Sequence, residues 1–322
     1  MTATTKTAKT GVARRADKPK ASDAVKRENR TGWAFMAPFG ILFALVFILP
    51  IIWAIYSSFF RQVTTGGGAY GGGELVDKFV GLQNFQYVIT SGNFWAGVGR
   101  VVLYTVIQVP VMIIAALALA MLIDSYIVKH ITAFRLSYFL PYAIPGVVAS
   151  IIWVYLYNGQ ISPIVKGLAA IGIKVNFFGD NVVLGSMANI TTWTFTGYNM
   201  LIFYSSLSTI PHSLYEAASI DGASEWQIVK KIKLPELKGS LAITVIFSII
   251  GSFQLFNEPS ILQNMVPGNA ITTYYTPNMY AYNLSFTGNQ SNYAAALAIV
   301  MAIITMAIAY VVQLKSMKEQ MK

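Results

Sequence analysis

Six long stretches of the chain contain no Asp, Glu, Lys or Arg: residues 31–60, 101–123, 136–165, 181–215, 239–257 and 259–314. A helix that crosses the hydrocarbon core of a bilayer needs about 20 mainly apolar residues. It must also satisfy its own backbone polar groups, because no water is present to do so. The runs therefore predict an all-α integral membrane fold with six transmembrane helices, at about 33–60, 98–123, 134–157, 182–207, 239–262 and 291–314. The last run exceeds one crossing, so a polar loop at about 263–290 is placed before the sixth helix. Pro110 falls inside the second helix, and Pro141, Pro145 and Gly146 predict a kinked or irregular start to the third. Neighbouring helices can satisfy the carbonyls such breaks release. Trp53 and Tyr56, near the end of the first helix, suit an interface.

Composition supports the membrane reading. Of 322 residues, 55% are hydrophobic and 11% charged, where soluble domains carry about 25% charge. Disorder of the whole chain is excluded by the same figures. Cysteine is absent, which excludes a disulfide framework, a thiolate metal site and a Cys nucleophile. The two histidines, His130 and His212, fall in predicted inner loops without carboxylate or serine companions and read as solvated.

The formal charge of +10 would suit nucleic acid, but its distribution does not. Lys and Arg mark the side of a membrane that faces the cytoplasm. Segments 1–30, 124–135, 209–238 and 315–322 hold 18 of the 23 Lys and Arg. The opposite side holds five: Arg61, Lys78, Arg100, Lys166 and Lys174. Both termini are thus expected in the cytoplasm of a multi-pass protein of the inner or plasma membrane, with lipids as partners and no nucleic acid. Residues 1–30 read as a basic disordered tail, 31–315 as the membrane domain and 316–322 as a short cytoplasmic tail. Residues 33–60 are too long for a signal peptide core and lack a small-residue cleavage site, so they read as a retained first helix.

Several motifs carry no chemistry in context. Gly66, Gly68 and Gly71 satisfy G-x-G-x-x-G, but a dinucleotide site needs a strand before it and a helix after it; here a membrane helix precedes, and the segment reads as a flexible outer loop. No G-x-x-x-x-G-K-[ST] occurs, so no phosphate cradle for ATP is expected in this chain. The Asn29, Asn189 and Asn283 sequons are chance matches at this length.

The segment 210–240 reads as two short helices joined by a sharp turn. Ser213-Leu-Tyr-Glu216 and Ser224-Glu-Trp-Gln227 both fit the capping box. Gly222 is placed to adopt the left-handed geometry that ends the first helix. Trp226, Val229 and Ile232 fall on one face of the second helix, with Lys230, Lys231 and Lys233 mostly away from it. Leu234-Pro235 is expected to stop it. Ala217 and Ala218 leave room for another protein's backbone.

Glu216-Ala217-Ala218, then Gly222, then Ile232-x-Leu234-Pro235 resembles the "EAA" loop of permease subunits in binding-protein-dependent ABC importers. The fuller Glu-Ala-Ala-x-x-Asp-Gly-Ala form, with Asp221, is similar to the carbohydrate-uptake, maltose-type branch. Leu140-Pro141 through Trp153, Thr272-Thr273 and Tyr293–Ala298 extend the likeness over about residues 33–315. Val229 stands where the family often has Phe, and Lys238 where Pro is common. The resemblance implies a type I ABC importer permease fold in which the 209–238 loop is a cytoplasmic coupling helix docked on an ATPase. Glu216, Ala217, Ala218, Asp221, Gly222, Ile232, Leu234 and Pro235 would be structural couplers. It also implies a second homologous permease subunit, two ATP-binding subunits that use ATP and Mg, and an extracytoplasmic solute-binding protein. The chain itself would bind no cofactor and be no enzyme.

Candidate substrate contacts lie on the fourth and fifth helices. Thr191, Thr194 and Tyr198 share one helix face, and Gln254, Asn257 and Glu258 do the same on the fifth. Sugars are held by amides, carboxylates and hydroxyls and by aromatic faces. The threonines also fit ordinary interhelical hydrogen bonding. Glu258, the only acid between Glu236 and Glu319, is either an intramembrane functional carboxylate or an interfacial one at the helix end. An ion-gradient-driven secondary transporter would explain the helices and Glu258 but not the Gly222–Pro235 spacing. A membrane anchor would not explain the polar face of the fourth helix. Glycerol phosphate is a further family substrate, disfavoured by the lack of Lys or Arg between Lys174 and Lys230.

Overall fold

The computed structural model describes residues 23–66, 73–125 and 130–320. The glycine-rich motif residues Gly68 and Gly71, and the tail up to residue 22, lie outside them. In chain order the elements are α1 (Asp23–Phe43), a π turn (Ala44–Ile48), α2 (Leu49–Ser57), β1 (Phe60–Thr65), β2 (Glu74–Phe79), α3 (Gln83–Thr90) and α4 (Gly92–Asp124). Then follow α5 (Ile131–Phe139), a 3-10 turn (Leu140–Ala143), α6 (Gly146–Tyr157), α7 (Pro163–Ala170), α8 (Val183–Leu207), α9 (His212–Ile220) and α10 (Glu225–Ile228). A second π turn (Val229–Lys233) leads to α11 (Leu234–Glu236), α12 (Lys238–Phe253), α13 (Asn257–Met265), α14 (Pro277–Phe286) and α15 (Ser291–Gln320). Two units are distinguished, Met1–Trp53 and Ala54–Lys322.

In the first unit, the helix begins at Asp23 rather than near Trp33, so residues 23–30 are helical and not part of a disordered tail. Lys, Arg and Glu are good helix formers, and extending an existing helix costs little. The π turn directly precedes Leu49-Pro50, and the Leu49 N–H reaches back five residues to the Ala44 carbonyl. The widened turn accommodates a proline that supplies no N–H and crowds the carbonyl four residues earlier.

In the second unit, Val25–Ser57 having ended, the chain turns into an antiparallel hairpin with Phe60 opposite Phe79 and Thr65 opposite Glu74. The first helix therefore stops at Ser57, not at residue 60, and among the described residues the helical fold carries one small two-stranded sheet. Val63, Thr64, Thr65 and Val76 have the β-branched side chains that suit strands.

Four helices among the described residues are long and apolar enough to cross a bilayer: Val25–Ser57, Gly92–Asp124, Lys238–Met265 and Ser291–Lys318. The pair Ile131–Ala143 and Gly146–Tyr157, bent by 98°, adds a fifth when taken as one broken span. α8 has 25 residues, about 37 Å at the α-helical rise, but its polar run from Asn189 to Asn199 dilutes its apolar character. Between the fifth and sixth predicted spans, α14 occupies part of the stretch read as a loop.

α4 and α8 run parallel. Tyr104 pairs with Thr191 at one level and Met112 with Asn199 at another, both pairs 87 residues apart. At their C-terminal ends, Ala120 and Ile123 of α4 share a buried cluster with Phe203 and Leu207 of α8, together with Ile210 and Leu237. Two parallel neighbours require one return crossing between them, which the bent α5–α6 pair supplies. α5 lies against α8 at Gly197, where an added Cβ would collide with the Tyr138 carbonyl. A third cluster joins Val88, Phe94, Val98 and Val101 to Phe253, Ala296, Leu297 and Met301, seating α3 and α15 on α4.

Gly197→Ala is expected to destabilise the detergent-solubilised protein by about 1–3 kcal/mol, the usual cost of forced overpacking. Gly185→Ala, with nothing within 4 Å of the new carbon, should be near neutral in the same thermal melt. Equal melting of the two would show that the α5–α8 approach is not tight.

Candidate functional site: a cavity at two helix breaks and a latched loop

Two spans are interrupted at the same place. In the first, Pro145, extended at ψ 135°, separates the 3-10 turn from α6. In the second, α12 ends at Phe253 and α13 starts at Asn257, so the single helix predicted over 239–262 is broken in two. The freed carbonyls are not left bare: Asn278 Nδ2 donates to the Phe253 carbonyl and Thr276 Oγ1 to that of Leu255, each at 3.0 Å. The two breaks lie close together: a Cβ at position 146 would stand in ordinary contact with Asn257 Nδ2, 3.4 Å away. Irregular backbone of this kind is tolerated at membrane depth where it is buried in protein or lines a cavity.

A cavity of about 530 Å³ lies between α4, the α5–α6 elbow, α8 and the α12–α13 break. All six predicted substrate-contact residues, Thr191, Thr194, Tyr198, Gln254, Asn257 and Glu258, line it. Gln254, Asn257 and Glu258 reach it because the helix breaks, not because they share a helical face. Glu258 sits in the first turn of α13, where the helix dipole favours a carboxylate. Tyr104 OH donates to Thr191 Oγ1 at 2.7 Å, and the Thr191 hydroxyl is in turn a hydrogen-bond partner of Glu258. The hydroxyl of Thr194 is engaged by its own helix at Ile190 O, 2.9 Å away. Asn189, from the same polar run, serves helix packing instead and donates to Tyr157 OH at 2.8 Å.

One wall is aromatic. Tyr142 stacks on Tyr198 with centroids 4.6 Å apart and planes 17° apart, and meets Phe195 edge-on at 5.6 Å. The opposite wall is an amide and hydroxyl relay in which Ser252 Oγ donates to Gln108 Oε1 at 3.1 Å, and Gln108 Nε2 and Asn199 Nδ2 both approach Met112 Sδ. Tyr104, Gln108 and Asn199 were not among the predicted contacts. Their signals are Tyr104 and Gln108, polar groups four residues apart within the charge-free run 101–123, and for Asn199 its place at the end of the polar run 189–199. No Lys or Arg lines the cavity.

The 209–238 loop forms at the other end of α4 and α8. Gly222 has φ +76°, and its N–H bonds to Ser219 O while Ala223 N–H bonds to Ala218 O, the paired bonds of a Schellman stop. The Ser224–Gln227 capping box forms. The Ser213–Glu216 box does not, because the helix starts two residues earlier than that cap requires, at His212 behind extended Pro211. Pro235 does not stop the second helix. A π turn precedes Leu234-Pro235, as at Leu49-Pro50, and the Leu234 N–H reaches Val229 O, so the chain runs on helically into α12. Across that turn Trp226 is 69% exposed while Ile228 is buried, so Trp226 does not share the inward face with Ile232. Lys233, expected outside, is buried.

Of the predicted couplers, Glu216, Ala217, Asp221, Gly222, Leu234 and Pro235 are exposed, and Ala218 and Ile232 are half-buried. Ile232 packs into the cluster of Ile123 and Leu207. Leu214 and Ile220 add exposed apolar surface beside Trp226.

Comparison with known proteins gives this architecture a family. The family of binding-protein-dependent transport system inner membrane components matches residues 87–315. The lactose transport system permease protein LacF of Rhizobium radiobacter is 30% identical over 283 residues, covering 87% of this chain and 91% of that protein. The arabinooligosaccharides transport system permease protein AraP of Bacillus subtilis is also 30% identical over 283 residues, covering 87% and 86% respectively. A chain from the crystal structure of a bacterial ABC transporter involved in import of the acidic polysaccharide alginate has the same fold, with a TM-score of 0.77 at 19% identity, over 92% of this chain and 97% of that one. The chain belongs to the binding-protein-dependent inner-membrane-component family and is a multi-pass membrane transport component.

Gly222→Val is expected to strain the left-handed turn by about 1–2 kcal/mol and to speed amide exchange in α9. Gly222→Asn, which tolerates this geometry, should exchange like the parent. Identical exchange in all three would show that handedness at this turn does not hold α9.

Proposed function

We propose that, as a member of this family, the chain is one permease subunit of an ATP-driven importer for a neutral sugar or oligosaccharide. An external solute-binding protein delivers the substrate, which crosses through the cavity. The observation that carries this reading is the convergence of Thr191, Tyr198, Gln254, Asn257 and Glu258 on one cavity at two helix breaks. Amides and a carboxylate bind sugar hydroxyls, and the Tyr142–Tyr198 wall offers a face for ring C–H groups. Two relatives named for lactose and arabinooligosaccharides support a carbohydrate. A phosphorylated ligand would need basic partners, and the cavity lining has none.

The full assembly pairs the chain with a homologous permease, giving a heterodimer, and with two ATP-binding subunits. ATP and Mg act in those subunits, and this chain holds no catalytic residue. The Lys and Arg bias places both termini and the 209–238 loop in the cytoplasm. α8 completes six crossings, its length sufficing for a bilayer. The ATP-binding subunits dock on the exposed residues between Glu216 and Pro235, a surface that excludes buried Lys233, where Ala217, Ala218 and Gly222 offer low bulk beside exposed Leu214, Ile220 and Trp226. Closure of the ATPase pair moves the loop and opens the cavity outward; hydrolysis returns it inward.

Purification from native membranes tests the assembly: a second permease and an ATPase should co-purify, with hydrolysis stimulated by the sugar-loaded binding protein. A lone protein under conditions that preserve related complexes would refute it. Asn257→Ala and Glu258→Gln should each lower uptake by about 10- to 100-fold, the equivalent of a hydrogen bond to a charged or polar ligand group, without altering assembly. Full uptake in both would remove the cavity from the pathway.

A further inference from the structure

An ion pair outside the cavity has no role in substrate contact or in the exposed docking surface. Lys233 Nζ lies 2.6 Å from Asp124 Oδ2, with the side chains 8% and 15% exposed. The ammonium also sits 5.3 Å from the centroid of the Tyr215 ring. Lys233 ends the π turn of the loop, Tyr215 belongs to α9, and Asp124 is the last residue of α4. A carboxylate at a helix C-terminus faces the negative end of the dipole, so Asp124 depends on the cation for its place. Buried charges need such pairing, and one removed partner leaves the other stranded.

We propose that this pair is the positioning link that carries movement of the loop into α4 and hence into the cavity wall. The inference rests on the importer reading. Ile232 and Leu237 pack against the same helix end through apolar contacts, which are non-directional. The ion pair, by contrast, fixes one register between loop and helix. From Asp124 the helix is continuous through Pro110 to Tyr104, twenty residues and about 30 Å of helix. Met112, Gln108 and Tyr104 then form the wall itself. α8 and α12 also run unbroken between the loop and the cavity lining, but the chain itself joins them to the loop; α4 is held to it across space, by this pair and by the apolar contacts.

The absence of cysteine from this chain allows spin labels to be placed in it at chosen positions, with partner-subunit cysteines blocked or replaced beforehand. Ile107→Cys on α4 and Tyr155→Cys on α6, both exposed, report the spacing of two walls. The distance between them is measured in the purified full complex without nucleotide and with ATP and vanadate. Lys233→Met should keep the ATPase bound and hydrolysing within about twofold, yet lose more than half of the ATP-driven distance change. The exchanged pair, Lys233→Asp with Asp124→Lys, should recover it. A full distance change in Lys233→Met overturns the link, as does failure of the exchanged pair to recover a change lost in the single variant. If Lys233→Met does not assemble, the apolar double variant Lys233→Met with Asp124→Leu decides: an undiminished change overturns the link and a lost change supports it. Failure of every variant to assemble makes the pair a folding element and also overturns it. A parent complex without ATPase, or with distances indifferent to ATP, refutes the importer reading instead.

Discussion

A peptide group inside a bilayer has no water to bond, so every break in a helix must be answered by protein. The cavity lies at two breaks, and at the α12–α13 break that demand is met by side chains from the start of α14. α14 supplies Asn278 and Thr276 to the carbonyls of Phe253 and Leu255, which lets α12 end in the middle of its span. Once the chain is free of helical geometry there, Gln254, Asn257 and Glu258 reach a common space opposite α8. The short α14 helix thus underwrites the cavity without lining it.

Much of this was legible in the residues. Charge-free runs require only that ions avoid hydrocarbon, and they carried the membrane class without reference to tertiary contacts. The six candidate residues stand out because polar groups inside such runs are costly and need a reason. They do line one cavity, but not through a shared helical face on the fifth helix: the structure gathers Gln254, Asn257 and Glu258 at a break. Nothing in Gln254-Leu-Phe-Asn257 signals that break, since its partners lie more than 20 residues downstream.

The errors in the loop share a cause. Reading Trp226 with Ile232 assumed the α-helical period throughout, and a π turn inserts extra chain that shifts the phase of what precedes it. Pro235 was taken as a stop because proline opposes regular α-helix, yet a widened turn ahead of it keeps the path helical. The same α-helical period sets Lys233 away from the apolar face, whereas it is buried against a partner more than 100 residues away, at Asp124. Long-range pairing of this kind leaves no local trace. The Gly222 turn was read correctly because its determinant is local.

The contact of Gly197 with the Tyr138 carbonyl bears on which parts of the cavity can open. Backbone against backbone leaves no intervening side chain to change rotamer, so α8 and the α5 elbow behave as one panel. The cavity's other border, toward α12 and α13, is lined by side chains such as Phe247, Ser248 and Gln254. The aromatic panel of Tyr142, Phe195 and Tyr198 therefore rests on a backbone-to-backbone junction, which a side-chain rearrangement cannot loosen.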